Sequence, residues 1–313
     1  GSGEAGALMF YKLRQFCETH FRFLMSLSLL VGLFSPALGH APDWAPPAVL
    51  ALMLMFSYAR VDLAHLRHIN LIEIGGFYAI RFLLYPLLLF IACAWFLPDY
   101  RYAVLLLALL PSAVSAAAMA SLMGGHTTLA LTGTLLSGVL APLTIPLAFE
   151  WVGMDVAIDT VSMFVTTAIL IFVPGVVYFL GFARFPKARD FIHGNAGFAS
   201  VLLFSVFIIV VVAKLSPQIW AQDVLFLLKS GIVLALVYSS FYVLAWLLAG
   251  RMSLEKRISY SLLSGCNNVG LGVSLALLYF PARENIYLII CEFLWVFLLA
   301  GFKFFLERRQ HGV

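Results

Sequence analysis

Long apolar windows recur along the chain and constrain its fold more than any other feature. A helix needs about 20 apolar residues to cross the hydrocarbon core of a bilayer. Windows of that kind fall at ten places, namely 19–36, 46–59, 71–97, 102–123, 127–150, 158–182, 196–213, 223–249, 258–280 and 285–306. With 63% hydrophobic and only 11% charged residues, the composition lies outside the range of soluble domains. The sequence therefore predicts an all-α polytopic membrane protein with ten transmembrane helices.

The basic residues between the predicted spans alternate by side. Of 19 Lys and Arg residues, fourteen lie on one side and three (Arg101, Lys214, Arg283) on the other, while Arg81 and Lys229 lie inside spans. The positive-inside rule places the richer side in the cytoplasm. Both termini are therefore predicted to be cytoplasmic, as an even number of spans requires.

The N-terminal residues are interpreted separately from the spans. Residues 1–8, GSGEAGAL, have the composition of a vector-derived leader. The apolar segment that follows lacks a small-residue cleavage site, so we expect a retained first helix rather than a signal peptide.

Polar and small residues interrupt two of the predicted spans. The fourth contains PSAVSAAAMASLMGGH at 111–126, and the ninth contains SGCNNVGLGV at 264–273, about 150 residues later. Each half of the chain then holds five spans, and two halves with an odd number of spans must have opposite orientations. Inverted repeats with discontinuous helices are typical of secondary transporters. The alternative is that small residues serve close helix packing, although the adjacent Asn267 and Asn268 are costly in lipid unless they find partners or line a cavity.

At these two segments the sequence resembles the bile acid:sodium symporter family, as a divergent bacterial-type member. The stretch LPSAVSAAAMASLMGGHTTLALTGTLLSGVLAPLTIP resembles the fourth and fifth helices of that family, and SGCNNVGLGVSLALLYF resembles its ninth. The matching landmarks are Pro111, Gly125, Thr134, Ser137, Pro142 and Pro146 in the first stretch and Gly265, Asn268, Gly270 and Leu271 in the second.

The resemblance implies two inverted five-helix repeats, 9–150 and 151–313, with discontinuous helices 4 and 9 that cross. We expect a core domain of spans 3–5 and 8–10 and a panel domain of spans 1, 2, 6 and 7. A bacterial inner membrane is the expected location.

The positions at which the family binds sodium have lost most of their oxygen ligands. The resemblance implies two sodium sites behind the crossover, of which Thr134 is a retained ligand. A Ser-Asn pair, a Ser, an acid and a Gln of the family are replaced here by Ala116 and Ala117, Ala130, Leu263 and Asn267, respectively. Because alanine and leucine offer no oxygen, the first sodium site is predicted to be absent.

A cation stands in the third span, five residues before Pro86, where the resemblance implies a Gln. Arg81 is permanently charged and offers five donors, and a charge inside a span is expensive and usually functional. Our hypothesis is that Arg81 takes the place of a sodium ion and binds carbonyls freed by the break in helix 9. The alternatives are that it reaches the membrane interface or pairs with Glu73 or Glu292.

The half-helices that follow the breaks begin near Ala116 and Asn268. Helix N-termini carry positive dipole ends and free N–H groups, which favour an anion. The sequence therefore predicts a transporter of a small organic anion that works by alternating access. The expected substrate-binding residues are Asn267, Asn268, Ser264, Ser115, Thr134 and Ser112.

Two other functions stay open at this point. Glu292 and Lys229 lie within spans, where each could titrate for a proton-coupled carrier or form a structural ion pair. A non-transporting membrane sensor that kept the fold and lost its ion sites is the second alternative. We expect no enzyme, because the sequence shows no nucleophile and base at workable spacing, and its four isolated cysteines suggest no metal. Neither a cofactor nor a nucleic-acid partner is expected beside the substrate and the lipid bilayer, and the sequence does not predict the oligomeric state.

Overall fold

The computed structural model describes residues 12–17, 19–61, 70–154 and 159–310, and the predicted leader at 1–8 lies outside them. These described residues form helices and no strand. Six helical stretches are long and apolar enough to cross a membrane: Ile72–Phe96, Thr127–Val152, Thr160–Arg184, Pro186–Trp220, Val224–Leu248 and Ala282–Arg309. The prediction of an all-α polytopic membrane protein is confirmed.

The chain divides into two compact units. The first unit contains the described residues up to Arg60, with helices α1 (Phe21–Phe34) and α2 (Ala45–Tyr58), and the segment Leu170–Ala221. This segment includes the end of α8 (Thr160–Val176) and all of α9 (Pro186–Trp220). Helix α9 begins ten residues before the predicted span 196–213, since its first turns are polar and exposed, and a hydropathy window excludes them.

Polar contacts fix the ends of the helices in the first unit. The Tyr58 hydroxyl donates to the carbonyl of Ile171 at 3.0 Å. At the other end, Lys214 pairs with Asp43 at 3.0 Å. The Trp220 indole nitrogen donates to a carbonyl near the end of α1. These contacts join helices that are distant in the sequence of the first unit.

The second unit begins with a helix that changes its winding before a proline. Helix α3 (Leu71–Tyr78) continues through a π-helical segment (Ala79–Leu84) into α4 (Tyr85–Phe96). Pro86 lacks an N–H and its ring crowds the carbonyl of Phe82, four residues earlier. The Tyr85 N–H bonds to Ile80 O, five residues back, which is the π pattern. Such segments are frequent at functional sites, and this one contains Arg81.

The remaining helices of the second unit include two pairs separated by short breaks. In chain order they are α5 (Arg101–Leu109), α6 (Ser115–Leu122), α7 (Thr127–Val152), α10 (Val224–Leu248), α11 (Leu254–Gly265), α12 (Val269–Tyr279) and α13 (Ala282–Gln310). The predicted interruptions at 111–126 and 264–273 correspond to the breaks between α5 and α6 and between α11 and α12. Side-chain caps at His126, Asp223, Ser253 and Asn268 start α7, α10, α11 and α12.

Gly265, the last residue of α11, permits a close approach to α10. A Cβ at this position would overlap the ring of Tyr242. We expect Gly265→Ala to destabilise the protein by about 1–3 kcal/mol through overpacking, read as a lower melting temperature in detergent. Gly301→Ala in α13 is the matched control, because a Cβ there meets nothing within 4 Å. Equal melting of the two variants would contradict the close packing at Gly265.

Candidate functional site

The two breaks lie against each other through a short antiparallel pairing. Ser112 and Asn267 form an isolated β-bridge. On one side of it, the Ala113 N–H donates to Cys266 O at 2.6 Å, and on the other the Asn268 N–H donates to Pro111 O at 2.8 Å. The breaks therefore supply each other with backbone partners that neither half-helix provides.

This exchange leaves helix-end carbonyls without their usual donors. In an uninterrupted helix each carbonyl accepts from the N–H four residues later. Pro111 has no N–H, so Leu107 O instead accepts from Asn267 Nδ2 at 2.8 Å. The Ser112 N–H donates to Ser137 Oγ at 3.1 Å rather than to Ala108 O. In the same way, the Asn268 N–H bonds to Pro111 and not to Ser264 O.

The Arg81 side chain provides donors to these carbonyls. Its Nη1 donates to Ala108 O at 2.8 Å and its Nη2 to Ser264 O at 2.7 Å. Nη2 also donates to Asn267 Oδ1 at 3.3 Å, and Nε donates to Ser264 Oγ. Arg81 is 0% exposed. The guanidinium therefore joins the carboxyl ends of α5 and α11, where the helix dipoles favour a cation.

Two aromatic rings complete the surroundings of the guanidinium. Its Cζ lies 4.7 Å from the ring centroid of Phe82 and 4.2 Å from that of Phe241. The Phe241 carbonyl in turn accepts from Ser264 Oγ at 2.7 Å. Cation–π contacts of this kind stabilise a desolvated charge, and no carboxylate of the described residues pairs with the cation.

The alternatives for Arg81 do not agree with this geometry. Complete burial contradicts a side chain that reaches the membrane interface. Glu73 pairs instead with Lys256 Nζ at 2.8 Å and accepts from the Tyr260 hydroxyl at 2.9 Å. Among the described acids, neither Glu73 nor Glu292 forms an ion pair with Arg81. Both pairings considered from the sequence are wrong for this structure.

Glu292 is the other buried ionisable group of interest. It is 3% exposed, and its Oε2 has no hydrogen-bond partner among the residues that the structure describes. Lys229 is exposed. Neither Glu292 nor Lys229 forms an ion pair with any described residue. The structural ion pair that the sequence suggested for them is therefore not present in this part of the chain.

The positions at which the resemblance implies sodium ligands are packed in apolar surroundings. Ala116, Ala117 and Ala130 belong to one buried cluster with Leu262 and Cys266. Leu263 lies in a neighbouring cluster, and its methyl groups occupy the space that a Cβ at Gly133 would need. These side chains present carbon where a sodium ion would need oxygen. In the described chain, no three His, Cys, Asp or Glu residues come close enough to hold a metal ion.

Four of the six predicted substrate-binding residues are buried within the crossover. They are Ser112, Thr134, Ser264 and Asn267. Thr134 Oγ1 donates to Ser112 Oγ at 3.3 Å, and Ser112 Oγ donates to Cys266 O at 3.5 Å. Asn267 uses its oxygen for Arg81 and its nitrogen for Leu107. These hydrogen bonds assign the four side chains to holding the breaks together in the conformation described here.

The other two predicted residues are accessible at half-helix N-termini. Ser115 is exposed at the start of α6, which has no side-chain cap. Asn268 is half-buried, and its Oδ1 accepts from the Leu271 N–H at 3.1 Å in the first turn of α12. No described residue accepts a hydrogen bond from Asn268 Nδ2. Ser115 and Asn268 are thus the members of the set that can reach a ligand.

Several partners of Arg81 are missing from the sequence prediction. The carbonyl of Ala108 and the ring of Phe241 contact the guanidinium as directly as Ser264 does. The free carbonyl of Ala108 could have been predicted, because Ala108 lies four residues before Ser112. The Ser112 N–H, its usual helical donor, lies in the break and bonds elsewhere. Phe241 could not have been predicted in this way, because only the packing of α10 brings it to Arg81.

One protein-family profile matches the chain. The sequence profile described as the sodium bile acid symporter family matches residues 48–222, which is more than half of the 313 residues. The matched region includes Arg81 and the first break and ends before the second. The search of curated proteins gives no significant match. The profile match shows that the chain, with its two paired breaks, belongs to the sodium bile acid symporter family.

Proposed function

We propose that this protein transports a small organic anion by alternating access and does so without sodium, with Arg81 as a fixed cation in the crossover. Members of the family are membrane transporters, and the chain is accordingly a membrane transporter rather than an enzyme. We further propose that the protein lies in a bacterial inner membrane with both termini in the cytoplasm.

The spacing of the helices supports ten spans in two inverted repeats. In four helix pairs of the second unit, the later helix begins 153 to 155 residues after the earlier one: Leu71 and Val224, Arg101 and Leu254, Ser115 and Val269, Thr127 and Ala282. The bridged residues Ser112 and Asn267 also lie 155 residues apart. A constant offset across helices of different length is the pattern of a repeated five-helix module.

The division into units supports the proposed panel and core. The first unit contains predicted spans 1, 2 and 7 and part of span 6, and the second contains spans 3–5 and 8–10 with the start of span 6. Alternating access moves one bundle of a repeat protein against the other. We propose that these two units are the moving bodies.

The hydrogen bonds of Arg81 to both breaks are the observation that carries sodium independence. A cation that binds Ala108 O, Ser264 O and Asn267 Oδ1 uses the kind of oxygen ligands that a sodium ion requires. The former ligand positions at Ala116, Ala117, Ala130 and Leu263 are filled by apolar packing. The apolar replacements remove ligands for sodium, and Arg81 supplies the charge that the ion would bring. Both therefore favour binding without sodium.

The accessible N-termini support an anionic substrate. Ser115 and the Asn268 amide lie at the starts of α6 and α12, where the dipoles favour negative charge. Asn268 Nδ2, which has no acceptor among the described residues, can donate to a carboxylate. We therefore propose a carboxylate as the substrate group at the crossover, and the name of the family makes bile acids one class to test.

Flux into proteoliposomes tests the transport proposal. A thermal-shift screen of carboxylates in choline chloride identifies a binder, whose labelled form is then followed into vesicles that contain the protein. We expect uptake in sodium-free buffer. An inward 100-fold sodium gradient should change the uptake rate less than twofold, since Arg81 already supplies the charge. Binding without flux would support a membrane sensor and contradict transport.

Proton coupling through Glu292 is the second candidate, since that carboxyl is buried and one of its oxygens has no hydrogen-bond partner in the described part of the chain. If it carries a proton, an inward proton gradient should drive uptake above the equilibrium level in the wild type and not in Glu292→Gln. The variant should retain binding, because glutamine resembles the protonated acid in shape. A gradient response that survives Glu292→Gln would exclude this residue as the coupling group.

A further inference from the structure

We propose that Arg257 and Arg309, together with Trp246, bind the phosphate of an anionic phospholipid. Trp246 lies near the end of α10, Arg257 in the first turns of α11 and Arg309 at the end of α13. All three belong to the second unit. Trp246 packs against the apolar cluster that contains Cys266, but within the described chain none of the three residues forms a hydrogen bond with Arg81 or with the Ser115 and Asn268 ends.

Both guanidinium groups approach the same indole ring. The Cζ atom of Arg257 lies 4.0 Å from the ring centroid of Trp246, and that of Arg309 lies 5.1 Å from it. The two Cζ atoms are consequently at most about 9 Å apart. Where the two groups lie on one face or edge of the ring, one phosphate that accepts hydrogen bonds of about 2.8 Å from both can bridge them.

The Arg257 guanidinium retains an unsatisfied donor. Its Nη2 donates to the Trp246 carbonyl at 3.3 Å, which orients the group beside the ring. Its Nε is buried and has no hydrogen-bond partner among the described residues. A buried donor without a partner is destabilising, and an anionic oxygen at this point would satisfy it.

Among the described residues no acid pairs with either arginine, whereas two nearby lysines have acidic partners. Lys256 pairs with Glu73 at 2.8 Å, and Lys303 approaches Glu307 at 3.8 Å. Neither arginine forms an ion pair with any acid in the described parts of the chain. Two like charges beside one ring repel each other, and a phosphate between them would convert that repulsion into attraction.

The surroundings favour a lipid over a free phosphate. The Trp246 ring packs edge-to-face against Phe305 at 5.2 Å and Phe302 at 6.1 Å. Phe305 is 44% exposed and offers an apolar surface to an acyl chain. Trp beside basic residues is typical of the membrane interface. Basic pockets between helices on the predicted cytoplasmic side suit anionic headgroups.

Native mass spectrometry during titration with phosphatidylglycerol tests the site. The double variant Arg257→Gln with Arg309→Gln should weaken binding of the most tightly held lipid at least tenfold. The control removes two exposed cations of the same predicted side, Arg184→Gln with Lys187→Gln, and should change the affinity less than twofold. A third variant, Arg257→Lys with Arg309→Lys, keeps both charges but loses the forked donors, and should give an intermediate affinity.

The possible outcomes distinguish a specific lipid site from non-specific attraction by basic residues and from a site for free phosphate. Equal losses in the two Gln double variants, or no loss in either, would overturn the proposal. Retention of full affinity by the Lys variant would show that charge alone suffices and would also overturn the built site. Inorganic phosphate at millimolar concentration should not displace the lipid, and displacement would identify a free phosphate as the ligand. Phosphatidylcholine, which is zwitterionic, should bind at least tenfold more weakly than phosphatidylglycerol.

Discussion

Arg81→Gln is expected to lower the stability of the protein by about 2–5 kcal/mol and to weaken binding of the carboxylate at least tenfold. One neutral amide cannot satisfy Ala108 O, Ser264 O and Asn267 Oδ1 together, and each buried acceptor without a donor costs about 1–3 kcal/mol. The substitution also removes a buried positive charge whose field would attract a carboxylate at the half-helix N-termini, without direct contact. Melting in detergent and a binding titration measure the two effects.

Sodium provides a sharper test of the same variant. If Arg81 occupies the position of an ion, Arg81→Gln opens a space lined by oxygen atoms, and sodium should raise the melting temperature of the variant but not that of the wild type. Arg283→Gln is the control, because it removes an exposed pair with Asp99, worth about 0–1 kcal/mol. Full stability and binding of Arg81→Gln without sodium would exclude the role proposed for Arg81.

Asn268→Asp is expected to abolish carboxylate binding while leaving the fold intact. Aspartate caps a helix about as well as asparagine, so the bond to the Leu271 N–H is kept. The change replaces the free amide donor with a negative charge, which repels a carboxylate at close range. Binding should fall at least 100-fold, or about 2.7 kcal/mol, with a melting temperature close to that of the wild type.

Comparison with Asn268→Leu separates the effect of the helix cap from that of the binding group. Asn268→Leu removes both, and should therefore lose binding and about 1 kcal/mol of stability. A matched substitution is Asn267→Asp at the neighbouring asparagine, whose side chain contacts Arg81 rather than the accessible space. That variant should affect stability more than binding. Unchanged affinity in Asn268→Asp would remove this residue from the site.

The breaks could be predicted from the sequence because their cause is local. Pro111 lacks an N–H, and the run from Ser264 to Gly270 combines residues that are costly in lipid, so the pattern is visible without the fold. The ends of α9 were predicted less well. A hydropathy window detects only its apolar centre, whereas the polar turns at 186–195 are held in the helix by continuous backbone hydrogen bonding.

The partners of Arg81 could be predicted only in part, because they depend on packing over long sequence distances. Its burial was one of the outcomes expected for a charge inside a span, and its contact with the break between α11 and α12 was predicted only through the resemblance to the family. That it binds both breaks, and that Phe241 faces it, depends on how α5, α10 and α11 meet. Sequence spacing alone cannot decide whether a buried arginine finds a carboxylate or a set of carbonyls, and here Glu73 is taken by Lys256.

The affinity of the wild-type protein for its carboxylate, measured in detergent with sodium replaced by choline, tests sodium independence most directly. The proposal predicts the same affinity in both buffers within a factor of two, because Arg81 is present in both. A tenfold or greater loss on removal of sodium, about 1.4 kcal/mol of coupling between ion and substrate, would contradict it.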